Sequence, residues 1–166
     1  KKRAENDIVV ETVVKHQPDD SKPRTQYLGM LEWAVDEDPS DARMLAYLAR
    51  EYYFHQRWED VTRTARRLGE LGTGWNIERS ATWRNAGFAF QQLGDNEQAE
   101  HWYHRGVETA PEQPEAWFAY AQFFYTQEDW QACFNAAEQG LRQKLDTHYL
   151  ADESVQWRLH DLMAIA

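Results

Sequence analysis

The sequence predicts an all-α fold: a right-handed superhelix of antiparallel helix pairs, an α-α solenoid, with a short N-terminal β segment. Three observations predict it. First, residues 81–111 read as helix, tight turn, helix. Trp83, Gly87 and Phe90 share one face of the first helix, and Gly94-Asp95 makes the turn. Ala99, Tyr103 and Gly106 share one face of the second helix, and Pro111 follows its end. Small residues at Gly87 and Ala99 let the helices approach closely, while Trp83, Phe90 and Tyr103 fill the space around them. Second, the unit recurs. Thirty-four residues on come Trp117, Ala121, Phe124, Asp129-Trp130, Cys133, Ala137 and Gly140; thirty-eight residues earlier come Leu45, Leu48-Ala49, Tyr52, Arg57-Trp58, Val61, Ala65 and Leu68. Third, one such pair cannot bury its own apolar face, so the recurrence implies a stack.

Taken in order, residues 1–24 form an arm from the end of an upstream domain. Lys1–Asp7 is polar. Ile8-Val-Val-Glu-Thr-Val-Val14 has the β-branched density of a strand, and a lone strand needs a partner in water. Residues 15–23 hold two prolines and read as a loop. Residues 25–166 form the repeat domain. A half repeat at 25–39 carries Tyr27, Leu31, Ala34 and Val35 on one side of a helix over Thr25–Asp38. Pro39-Ser-Asp41 then supplies a turn and capping side chains. Full repeats follow at about 42–73, 80–111 and 114–145. Their helix pairs run over 42–54 and 58–71, 81–93 and 97–109, and 115–126 and 130–143. The four extra residues of the first repeat fit between Leu71 and Glu78, where Gly72-Thr-Gly74 breaks the helix pattern. Residues 145–152 read as a loop, and 154–166 as a terminal helix.

Composition narrows the function. The net charge is −10 and the isoelectric point about 5.0, which argues against nonspecific binding to nucleic acid or an anionic membrane. No apolar run approaches the length of a membrane span, and a cytoplasmic location is expected. Eight Trp and eight Tyr in a chain of mean hydropathy −0.84 act as mortar between polar-faced helices. The single cysteine, Cys133, aligns with Ala99 and Val61 and reads as a small packing residue.

In a curled stack the first helix of each pair lines the concave side. The repeat register places Arg43, Ala46, Arg50, Tyr53 and Phe54 there in the first repeat. It places Ala81, Arg84, Phe88 and Gln91 there in the second, and Glu115, Phe118, Gln122 and Tyr125 in the third. Arginine can hold a carboxylate bidentately and rings can stack on peptide or sugar, so a protein or peptide partner, acidic in part, is expected. Glu97, His101 and His104 share a helical face at metal-ligand spacing, but the register puts that face outside, in solvent. No phosphate loop or nucleophile elbow is present.

The helix-pair motif resembles the tetratricopeptide repeat. The order of features at the N-terminal end resembles something narrower. It runs from a β-rich strand through His16, a Pro/Ser/Lys loop and Leu31-Glu-Trp-Ala-Val-Asp-Glu-Asp-Pro39 to Asp41-Ala-Arg-Met-Leu-Ala-Tyr-Leu-Ala-Arg-Glu-Tyr-Tyr53. This looks like the junction in bacterial and phage family-two, GT-A type glycosyltransferases that carry a C-terminal tetratricopeptide region. Gly74-Trp75, Asp129-Trp130-Gln-Ala-Cys133 and Asp161-Leu-Met-Ala-Ile-Ala166 agree with it. The resemblance implies a nucleotide-sugar donor, Mg2+ or Mn2+, and inverting transfer with a carboxylate base, and it makes His16 a metal ligand. The catalytic strands, acids and base would lie upstream of Lys1, so this chain alone would be a non-catalytic interaction region that positions an acceptor, mediates self-association or braces its own upstream catalytic domain. In that family an acid-x-acid motif holds the metal; Asp36-Glu-Asp38 has the form but ends a helix before Pro39 and reads as a turn. The alternatives are a free-standing peptide-binding adaptor and a homo-oligomerisation module.

Overall fold

The computed structural model describes residues 25–143 and 154–166. Those residues form eight helices: α1 Thr25–Glu37, α2 Ala42–Phe54, α3 Trp58–Leu71, α4 Asn76–Gln92, α5 Asn96–Thr109, α6 Pro114–Thr126, α7 Trp130–Arg142 and α8 Ser154–Ile165. The strand expected at residues 8–14, His16, and the loop expected at 145–152 lie outside the described residues.

The turns inside the three full pairs are copies of one another. The backbone N–H groups of Arg57, Asp95 and Asp129 donate to the carbonyls of Tyr52, Phe90 and Phe124 at 2.9, 2.9 and 3.1 Å. Each of these bonds closes a helix end through a left-handed residue. That residue is Gly94 (φ 81°) in the second pair, but Gln56 (φ 56°) and Glu128 (φ 58°) in the others. Aspartates start the following helices: Asp95 Oδ1 accepts from Gln98 N at 3.1 Å and Asp129 Oδ1 from Ala132 N at 3.0 Å. Asp41 starts α2 in the same way, accepting from Arg43 N and Met44 N at 2.9 and 3.1 Å.

Two elements differ from expectation. Helix α4 begins at Asn76, five residues before Ala81, so most of the four-residue insertion extends the helix and the break is confined to 72–75. Gly72 ends α3 at φ 65° and Gly74 stands at φ 106°, so the two glycines absorb the reversal and the chain is free to resume helix at Asn76. In α1 the inward side is Leu28, Leu31 and Val35, with Val35 only 2% exposed, whereas Tyr27 is 50% exposed.

The layering is set by which helices touch. The first helices of the pairs, α2, α4, α6 and α8, pack on one another in sequence, while the outer helices α1, α3, α5 and α7 come no closer to one another than side-chain reach. A stack touching on one layer and splayed on the other curves with the touching layer inside. The core is continuous from α1 to α6 and is built around Trp83, which is fully buried. Its indole donates to Thr109 Oγ1 at 3.0 Å, and the Arg105 guanidinium lies 4.4 Å over the ring. A second cluster joins α6, α7 and α8 through Ala121, Cys133, Ala137, Val155 and Leu159. Cys133 is buried there, and burial raises its thiol pKa above the ordinary value, as suits a packing residue.

Candidate functional site on the concave face

The ends and middles of α2, α4 and α6 come together around Arg84. Its side chain rises from α4 over Gly106, where an added Cβ would stand 3.6 Å from Arg84 Cγ. The Nε atom is buried without a hydrogen-bond partner. Burial lowers the guanidinium pKa from its ordinary value, and the charge of Glu115, at the start of α6, opposes that. The hydroxyls of Tyr53 from α2 and Tyr103 from α5 act on the same group more weakly. Arginine stays charged despite such burial, so a partly desolvated cation sits at the middle of the groove.

Beside it is a cluster of rings. Tyr53 and Phe88 meet edge to face at 5.4 Å, and Trp58 completes the set at 5.8 Å from Tyr53 and 5.6 Å from Phe88. Phe54 stands 5.9 Å from Tyr53 and is 45% exposed. Edge-to-face contacts hold such rings firmly and leave faces and rims for a further apolar group. In the third pair Tyr125 and Trp130 repeat the Tyr53–Trp58 contact at 5.6 Å, and both rings are exposed.

The other residues expected in the groove divide. Arg43 pairs with Glu78 at 3.5 Å, and Tyr47 donates to the same carboxylate at 3.4 Å. Arg50 is exposed and lies 5.0 Å over the Tyr47 ring, toward α1. The three arginines therefore occupy three separate settings. Gln91 ties repeats together: its amide donates to Thr126 Oγ1 at 2.7 Å and its carbonyl accepts from Tyr103 Oη at 3.3 Å. Phe118 is half-buried with the Arg158 guanidinium 5.6 Å over its ring, Gln122 is exposed, and Ala46 is buried. Trp58, Tyr103 and Arg158 pack against residues of this face although the register of first helices does not include them. The recurrence of Trp at positions 58 and 130 in equivalent turns was the available signal for the first.

The acidic and histidine candidates stand apart from the groove. Asp38 is exposed, and its carboxylate pKa is lowered because it accepts from the hydroxyl and backbone N–H of Ser40, as in a turn. Glu97, His101 and His104 are exposed on α5, with His104 Nδ1 3.4 Å from Glu108. Among the described residues no three His, Cys, Asp or Glu side chains converge as a metal site would require.

Residues 80–123, the pair built on Trp83 and the start of the next, match the family model for the tetratricopeptide repeat. The helical stack has the tetratricopeptide-repeat fold. Solved structures agree along its length. The array is similar to MamA, with a TM-score of 0.63 at 10% identity over 85% of each chain. It is similar to YrrB, described as a TPR protein with an unusual peptide-binding site, with a TM-score of 0.58 at 13% identity over 86% of this chain and 69% of that one. It is also similar to PilF of Pseudomonas aeruginosa, with a TM-score of 0.58 at 18% identity over 86% and 67%. At these identities the likeness is one of fold. No curated protein matches the chain by sequence. No described helix of the tetratricopeptide array is long and apolar enough to cross a membrane.

Proposed function

We propose that the array is a scaffold whose concave face grips a short segment of a partner protein. The observation that carries this reading is Arg84, a charged group buried in the middle of the groove with its Nε unpartnered, next to the Tyr53–Phe88–Trp58 ring cluster. A single carboxylate on the ligand would meet the guanidinium, and an apolar or aromatic side chain would rest on the rings. The chain's net charge of −10 repels a long acidic stretch, and Glu115 already offsets part of the Arg84 charge, so the fitting ligand carries one acid and not a run of them. YrrB, similar in fold, is described as peptide-binding, which agrees with this use of the array.

A random peptide library panned against the full chain tests it. Enriched peptides should bind at least tenfold more weakly to Arg84→Met, which keeps the stem over Gly106, and equally to His101→Ala on the outer face. Failure to enrich any sequence, or equal binding to Arg84→Met, refutes the reading.

A second reading rests on the junction resemblance over residues 8–53: the array is the C-terminal interaction region of a glycosyltransferase-like protein. The nucleotide-sugar site, Mg2+ or Mn2+, and the catalytic base would belong to an upstream domain, with His16 as the one ligand from this chain. Sequencing the gene upstream decides it: a mixed α/β domain of about 200 residues or more with an acid-x-acid motif after a strand supports it, and a frame that starts at Lys1 overturns it.

A further inference from the structure

Each outer helix after the first is packed by an inner helix on both sides: α3 by α2 and α4, α5 by α4 and α6, and α7 by α6 and α8. Among the described residues α1 has only α2. Its uncovered side is nonetheless apolar. Tyr27, Met30 and Trp33 are 50%, 65% and 65% exposed, flanking the Leu28, Leu31 and Val35 side that joins the core. With Ala34, Met44 and Tyr47 they line a groove of about 410 Å3 between α1 and α2. A helix that is apolar on two sides is suited to burial on both.

We propose that Ile8–Val14 of the same chain covers this groove. Three observations commit the site to that occupant. Reach is the first: residues 15–24 are ten residues and span at most roughly 33–36 Å when extended, while α1, with 13 residues, is only about 20 Å long. The segment can therefore fold back along the whole helix. Composition is the second: five of the seven residues, Ile8, Val9, Val10, Val13 and Val14, are β-branched aliphatics, which match a groove walled by Met and aromatic side chains. Charge is the third. Glu11 is the one charged residue of the segment, and the exposed Arg50 lines the groove with a complementary charge. The short tether keeps the segment at about millimolar effective concentration beside its groove, so a weak contact suffices to hold it. The cover is independent of what the concave face binds.

Oxidation of Met30 by dilute peroxide, followed by peptide mass spectrometry on the full chain, reads the cover directly. In the wild type Met30 should oxidise at least fivefold more slowly than in a Val10→Asp/Val13→Asp variant, at any protein concentration. Met163, packed at the far end of the array, should oxidise at the same rate in both and so reports an intact fold. Hydrogen exchange should show α1 amides less protected in the variant and α4 to α7 amides unchanged. Equal Met30 rates in the two proteins overturn the proposal. Protection that grows with protein concentration alongside a dimer in sedimentation also overturns it, because a second copy then supplies the cover.

Discussion

Substituting Gly87 by Ala adds one methyl group at the closest approach of α4 and α5, and the structure says what it meets. A Cβ built at Gly87 lies 2.8 Å from Tyr103 Cγ and 2.9 Å from each ortho carbon. Ordinary contact begins near 3.4 Å, so the ring or the helix must move by more than half an ångström. The ring has little freedom: Tyr103 is 4% exposed, donates to Gln91 at 3.3 Å, and packs on Phe123 of the next pair at 5.4 Å. Overpacking of this kind costs about 1–3 kcal/mol. Replacing glycine inside a helix returns about 0.5–1 kcal/mol. The net expectation is a loss centred on about 1 kcal/mol, or roughly 2–4 °C in Tm for a chain of this size. Gly29→Ala is the control, since nothing stands within 4 Å of its added Cβ on the exposed side of α1. It should raise stability by about 0.5–1 kcal/mol. Thermal and urea melts of both variants measure the pair, and Gly87→Ala combined with Tyr103→Leu should lose most of the added cost, because the obstructing ring is gone. An unchanged or raised Tm for Gly87→Ala would refute the claim that close helix approach at this glycine sets the pair's packing.

The turns and the buried phenols give two more predictions. Glu128, left-handed at φ 58° where the second pair uses Gly94, should be relieved by Glu128→Gly; a gain of about 1 kcal/mol in a urea melt is expected, and a loss would count against backbone strain at that turn. Burial, with the Glu32 carboxylate accepting from its hydroxyl at 3.0 Å, pushes the Tyr52 pKa up to about 12, and burial pushes Tyr120 to about 12 as well. The folded state therefore favours the neutral phenols, and their contribution to stability is complete below pH 10 and is lost as pH rises from about 10 to about 12. A spectrophotometric titration should show part of the tyrosine absorbance change delayed above about pH 10 and merged with unfolding; full ionisation at ordinary values in folded protein would contradict it.

The repeat was legible because its packing is local. Gly87 and Ala99 are twelve residues apart, and residues that meet across a short turn leave a periodic trace at positions such as Trp83, Phe90, Tyr103 and Trp117. The same locality fixed the three turns, where aspartate follows a left-handed residue in two pairs and Arg57 stands in the third. The start of α4 was less legible: Gly72 and Gly74 announce a break, but the sequence does not mark where helix resumes, and the close approach of Gly74 to Ala42, 3.0 Å for an added Cβ, appears only in the folded chain. The orientation of α1 was misread at Tyr27, since a helix with apolar residues on two sides has two self-consistent registers and only packing against α2 selects Leu28.

The candidate groove divides the same way. Repeat register alone named Arg84, Tyr53 and Phe88 as residues of one concave surface, because position within each unit decides which side of the stack a residue faces. It could not show that Arg43 is paired to Glu78, that Gln91 ties Tyr103 to Thr126, or that Arg50 turns toward α1. The Arg43–Glu78 and Gln91–Thr126 contacts depend on partners 35 residues away, brought close only by stacking one pair on the next. By itself the sequence determined the repeat, its length and its inward residues, since these rest on contacts within one helix pair. Only the tertiary structure decided which of the three arginines sits desolvated beside the rings, since desolvation is a property of the assembled stack and no single repeat carries it.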